Sequence, residues 1–280
     1  MPEAPPVPQP HVLPLGPGTD VTTFVTGWIA VRRAHREFAG PDALAFPAIL
    51  LDRRWTGWMP VHAFLVRHPE GLVLVDTGEA ADRPPGWFGC GSGVQEAFYR
   101  RYLRLAVPPG AALPHQLRAV GVAPREIDSV VVTHLHSDHT GGLGHFGRAR
   151  VLVGGSGPHS GSTHCRLPDD DRLRRARWAD GPVHAFPRSE ALTADGAVRS
   201  IALPGHTPGH QGLVITGAHL TAVVAGDAAF GIDQVRAGQP PGIATDRPAN
   251  RSTQADLGRA HDDGATLLFS HAPPATPTSA

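Results

Sequence analysis

The chain has 280 residues, 41 % of them hydrophobic, enough to bury a sizeable core in one large domain or two small ones. Formal net charge is zero, so no global field favours nucleic acid or an anionic membrane, and no apolar run approaches the ~20 residues that span a bilayer. Two cysteines, Cys90 and Cys165, are too few for a disulfide framework, and a cytoplasmic setting follows as the expectation. Lysine is absent, so all 25 basic residues are arginine, which reads as coding bias rather than chemistry.

Taken in chain order, residues 1–20 are proline-rich, lack the charged and apolar regions of a secretory signal, and read as a mobile N-terminal tail. The folded domain is expected over 21–274, and 275–280 read as a second loose tail. VTTFVTGWIAVRR has strand composition, and VHAFLVRHPEGLVLVDTG reads as a hairpin around His68-Pro69-Glu70-Gly71. QEAFYRRYLRL (95–105) has helical spacing, LPHQLRAVGV is a second short helix, and REIDSVVVTH is a buried strand. ARVLVGG is another strand, and DDDRLRRARWADG reads as an exposed helix opening on acidic residues. SIALPGH, GLVITGAHLTAVVAGD and ATLLFSH are apolar runs that each end in a candidate metal ligand. Strands interleaved with a few helices predict a layered α/β domain.

The densest chemistry lies in THLHSDHTGG, residues 133–142. His134, His136, Asp138 and His139 follow directly on the β-branched run Val130-Val131-Val132. Alternate residues of an extended segment project to one side, so His134, His136 and Asp138 can converge, and His139 needs only a local bend. Gly141 and Gly142 permit that bend and a close approach of backbone to the site. Imidazole and carboxylate at this density suit zinc and neighbouring first-row metals. By contrast GGSGPHSGS (154–162) lacks the lysine of a phosphate loop and reads as a flexible loop. His62, His145, His159, His164 and His184 read as ordinary polar residues.

HxHxDH after an apolar strand resembles the signature of the metallo-β-lactamase superfamily. Further stretches resemble it in the right order: the DTG turn at Asp76-Thr77-Gly78, GHTPGH at 205–210, Ala225-Gly226-Asp227, and Phe269-Ser270-His271. The resemblance implies an αββα sandwich, two mixed sheets flanked by helices. It implies two divalent metal ions, zinc by default, with manganese, cobalt or iron fitting the same ligands. His134, His136 and His206 would hold the first ion, Asp138, His139 and His271 the second, and Asp227 would bridge them. His210 would support its loop and Asp76 would orient a ligand histidine or loop backbone.

Two branches of the family use this full ligand set, the glyoxalase-II-like thioesterases and the N-acyl homoserine lactone lactonases. The stretches PVHAFLVRHPEGLVLVDTG and PGHTPGHQG resemble the lactonases more closely. The expected reaction is attack of a metal-bridging hydroxide on a lactone or ester carbonyl, with Asp138 carrying a proton to the leaving oxygen and Asp227 fixing the metal separation. Two departures bear on the substrate: Phe230 stands where these lactonases often carry a tyrosine, and the terminal motif reads Ser270-His271-Ala272-Pro273. Segment 84–110 is the candidate lid, with Trp87 and Phe88 as acyl contacts beside Phe230. The alternative is a thioesterase that releases an acyl group from a carrier protein, docked on Arg172, Arg174, Arg175 and Arg177. Neither nucleic acid nor membrane is expected as a partner.

Overall fold

The computed structural model describes residues 2–155 and 167–273. An eight-stranded sheet holds β1 (His11–Gly16), β2 (Thr19–Val31), β3 (Met59–His68), β4 (Gly71–Val75), β5 (Leu103–Ala106), β6 (Ser129–Val132), β7 (Arg150–Val153) and β8 (Leu173–Arg175). Its order is β1-β2-β3-β4-β6-β7-β8, with β5 paired to the far part of β2. A five-stranded sheet holds β9 (Ser189–Ala191), β10 (Val198–Ala202), β11 (Gln211–Thr216), β12 (Thr221–Gly226) and β13 (Thr266–Phe269), in the order β13-β12-β11-β10-β9. Both sheets are mixed: β4, β6, β7 and β8 run parallel, as do β12 and β13, while the hairpins are antiparallel. The helices are α1 (Arg33–Arg36), α2 (Ala45–Leu51), α3 (Gly93–Tyr102), α4 (Leu113–Ala119), α5 (Ser137–Thr140), α6 (Ile232–Ala237) and α7 (Arg247–Asp262).

Strand alternation builds the layers. Phe64 and Val66 of β3 face inward, where they join Val75, Val131 and Leu152 against Leu213, Ile215, Val224 and Leu268 of the second sheet. Ala63 and Leu65, one residue out of phase, face outward and pack with Leu113 and Leu117 of α4. On the other side, Val214, Val223 and Leu267 pack with Val235 of α6 and Leu257 and Ala260 of α7. The result is the expected αββα sandwich.

Three sequence readings change. Residues 11–20 are not part of a free tail: β1 pairs antiparallel with β2, and Leu13 and Leu15 are buried between the sheets. Alternation explains this, because Leu13 and Leu15 of HVLPLG face the core while Val12 between His11 and Leu13 faces solvent, and Pro14 sits on an edge strand. The helix over 95–105 stops at Tyr102, and Leu103 turns into β5 to pack with Ile29 and Val31. The stretch read as an exposed helix, 169–181, instead carries β8 alongside β7. There Ala176 and Trp178 enter the intersheet core, a tertiary gain that overrides the local helical pattern. Arg174 of that strand pairs with Glu190, and Arg172 just before it pairs with Asp170, so two charges of the expected carrier-docking face already have acidic partners. Most of the 154–162 loop, with His159, His164, Cys165 and the 275–280 tail, lies outside the described residues. No helix among the described residues is long and apolar enough to cross a membrane.

Leu15 is fully buried on β1. Leu15→Ala is therefore expected to lower unfolding stability by about 2–5 kcal/mol in urea titration, whereas a loose N-terminal segment would leave it unchanged.

Candidate metal centre

Each candidate ligand stands where a core strand runs out. β6 ends at Val132, and the extended backbone that follows presents His134 and His136. The chain then turns into α5, so Asp138 and His139 leave a helical turn rather than an extended segment. That turn sends Asp138 away from His134 and His136 and toward His271. His206 follows β10, Asp227 follows β12, and His271 follows β13. Parallel pairing of β12 with β13 brings the last two side by side.

The seven side chains gather in two sets: His134, His136, His206 and Asp227, and Asp138, His139 and His271, the candidate atoms of each set lying within 4.8 Å of one another. His136 Nδ1 lies 2.8 Å from His134 Nε2 and 3.2 Å from His206 Nε2. Asp227 spans the sets. Its Oδ2 faces His206 Nε2 at 3.6 Å and His134 Nε2 at 3.9 Å. Its Oδ1 faces His271 Nε2 at 3.3 Å and His139 Nε2 at 3.5 Å. Asp138 Oδ2 completes the second set, 3.4 Å from His271 Nε2 and 3.7 Å from His139 Nε2.

These groups fit divalent cations. Ligands at ~2.1 Å in a tetrahedron stand about 3.4 Å apart, close to most of these separations. Asp227 Oδ1 and His139 Nε2 are buried and have no hydrogen-bond partner among the described residues, an arrangement that an ion between them would resolve. Burial, reinforced by neighbouring imidazoles, holds His134 well below its ordinary range, and burial does the same to His206, leaving both as neutral bases. Burial works the other way on Asp227, yet the adjacent His271 and His139 overcome it and keep the carboxylate ionised.

Surrounding residues aim the ligands. Asp76 adopts a left-handed backbone (φ 59°) at the end of β4. Its Oδ1 accepts from the Thr133 N–H at 2.7 Å, and its Oδ2 lies 2.7 Å from His139 Nδ1, which turns Nε2 of that ring toward the ions. His271 Nδ1 donates to the Pro60 carbonyl at 2.8 Å. His210 donates from Nδ1 to the Leu203 carbonyl at 3.1 Å and accepts at Nε2 from the Asp227 N–H at 3.0 Å, so it holds the bridging residue's backbone. Gly142 serves close approach, since a Cβ there would fall 2.4 Å from the Thr77 carbonyl.

A cavity of about 700 Å³ opens beside this centre, walled by His271, His62 and Phe230 and by Val25, Trp28, Trp58, Met59 and Pro60. Phe230 stacks on His271 with ring centroids 5.3 Å apart. Trp87 and Phe88 do not line this cavity: both are buried, and Phe88 stacks on Tyr99 of α3 at 5.1 Å. Tyr99 in turn meets His136 edge-on at 6.4 Å, so α3 covers the His136 side of the centre.

Glu79 carried no signal in the sequence. It follows the DTG turn, is 6 % exposed, and accepts from Ser137 Oγ at 2.6 Å and Trp87 Nε1 at 3.0 Å. It thereby ties the 84–110 segment to α5, which carries Asp138 and His139. Burial pushes its carboxyl from 4.5 up to about 7. Because the fold favours the protonated form, stability contributed by Glu79 is greatest below pH 4.5 and is lost as the pH rises to about 7. Glu79→Gln is expected to flatten that decline, read as Tm against pH for variant and wild type; parallel curves would contradict it.

Comparison with known proteins bears on the same residues. The metallo-beta-lactamase superfamily model matches residues 56–271. The N-acyl homoserine lactonase AttM of Azorhizobium caulinodans is 28 % identical over 233 residues, covering 79 % of this chain and 84 % of that protein. A probable metallo-hydrolase of Mycobacterium tuberculosis, Rv2300c, is 27 % identical over 238 residues, covering 76 % of this chain and 74 % of that one. Among solved structures, an N-acyl homoserine lactone hydrolase with the product N-hexanoyl-L-homoserine bound at its catalytic metal centre superimposes with a TM-score of 0.69. Sequence identity there is 19 %, over 90 % of this chain and 92 % of that chain, a likeness of fold. The family match runs from before β3 to His271 and so takes in every strand end that carries a candidate ligand. The chain belongs to the metallo-beta-lactamase superfamily.

Proposed function

We propose that the protein is a dinuclear metal-dependent hydrolase that opens the ring of N-acyl homoserine lactones. Asp227 carries this reading: one buried carboxylate turns one oxygen to His134 and His206 and the other to His139 and His271. The relatives that are homoserine lactonases support the substrate class. Zinc is the assigned metal, because five imidazoles and two carboxylates at tetrahedral spacing suit it. Such ions, when bound, acidify water and polarise a carbonyl, the two tasks of ester hydrolysis.

The chain's own residues do the rest. His134, His136 and His206 form one wall of the centre, and Asp138, His139 and His271 the other, with Asp227 setting their separation. Asp138 is only 6 % exposed and sits beside His271, which itself lines the cavity, and this carboxylate would pass a proton to the leaving oxygen. Phe230, Trp28, Trp58 and Met59 offer an apolar surface to an acyl chain, and Phe230 cannot donate a hydrogen bond. A chain with two cysteines suits the reducing cytoplasm, where the reading places the enzyme.

The test is a panel of homoserine lactones of increasing acyl length, with a thioester and a β-lactam for comparison. Ring opening should dominate, and KM should fall as the acyl chain lengthens to fill the cavity. His134→Ala should abolish turnover in a folded chain. Faster thioester cleavage would instead support the carrier-releasing alternative, and turnover surviving in His134→Ala would contradict both readings.

A further inference from the structure

Residues 2–10 hold five prolines in nine positions: Pro2, Pro5, Pro6, Pro8 and Pro10. Proline has no N–H to give to a ladder, so this stretch cannot prolong β1. Its fixed φ favours a stiff, extended chain that has little conformational freedom to lose when it docks.

The structure holds this segment at both ends. His11 pairs with Thr23, and the antiparallel sense of β1 and β2 sends the chain before His11 in the direction of Val25 and Trp28. β3 occupies one edge of β2 as far as Ile29, and β5 takes the other edge from Trp28 onward. The proline segment therefore has to leave the sheet. At its far end the Trp58 Nε1–H donates to the Pro2 carbonyl at 2.9 Å. Trp58 stands directly before β3, so the segment runs from the start of β1 to the start of β3.

Both anchors belong to the cavity beside the metal centre. Val25, Trp28 and Trp58 line it, as does Pro8 from the segment itself, and its wall also includes His271 and Phe230. Trp58 thus has two tasks: its ring faces the cavity, and its N–H holds Pro2. We infer that residues 2–10 form a strap that walls the acyl cavity, latched by Trp58, and that this strap selects for longer acyl chains. Distal methylenes gain an apolar surface there that a short chain does not reach. The inference rests on the hydrolase reading for the head of the substrate, whereas the wall itself would receive any acyl chain.

The test compares the zinc-loaded protein with a variant lacking residues 2–9 and with Trp58→Phe, which keeps an aromatic ring in the wall and loses the N–H. The truncation leaves β1 and its pairing in place, so its urea midpoint should match that of the wild type. In the wild type, KM should be lower for decanoyl- than for butanoyl-homoserine lactone. Truncation should shrink that KM ratio by about 10-fold, the scale of two methylenes returned to water. Trp58→Phe should shrink it in the same direction, and it carries the comparison if the truncated chain misfolds. A second measurement needs no lactone: in calorimetric titration with sodium decanoate, affinity should fall by about 10-fold on truncation. The inference is overturned by a KM ratio that both variants leave at the wild-type value. It is equally overturned by decanoate affinity that is the same in all three proteins, absence of binding included. If the wild type opens no lactone while truncation still weakens decanoate binding, the substrate reading fails and the strap stands.

Discussion

The structure depends on one buried carboxylate shared by two groups of histidines. Asp227 is 3 % exposed, and a carboxylate at that depth is costly unless positive charge surrounds it. Four imidazoles approach its two oxygens, and a hydrogen bond from its own N–H to His210 fixes where it stands. Divalent ions give this arrangement its energetic sense, because they supply the charge that buried carboxylates and unpartnered ring nitrogens lack.

The fold exists to deliver those groups to one edge. Core strands end in line, and each hands the chain to a ligand: β6 to His134, β12 to Asp227, β13 to His271. The interior between the sheets is aliphatic and close-packed, so strand ends are held with little freedom. Asp76, Glu79 and Ser137 then connect neighbouring loops to the α5 turn, which limits how far Asp138 and His139 can drift. Precision at the centre comes from this backing, since α5 itself has only four residues.

Much of this was legible in the sequence because the ligands follow apolar, β-branched runs, and such runs are strands wherever they are buried. His134 after Val130-Val131-Val132 and Asp227 after Thr221–Gly226 are readable on that ground alone. What stayed hidden depends on contacts between distant segments. β1 hides within a proline-rich stretch, because only pairing with β2 reveals which of its residues face the core. β8 hides within an arginine-rich stretch whose helical spacing loses to the burial of Ala176 and Trp178. Glu79 is a single polar residue in unremarked sequence, and its significance lies in burial and in a partner, Ser137, that is distant along the chain.

The most direct measurement of the central claim is metal stoichiometry by elemental analysis, on the wild type and on Asp227→Ala, both purified under zinc supplementation. The account predicts two ions per wild-type chain and at most one, weakly held, in the folded variant. A wild-type chain that remains empty, or an Asp227→Ala chain that keeps both ions, would contradict it.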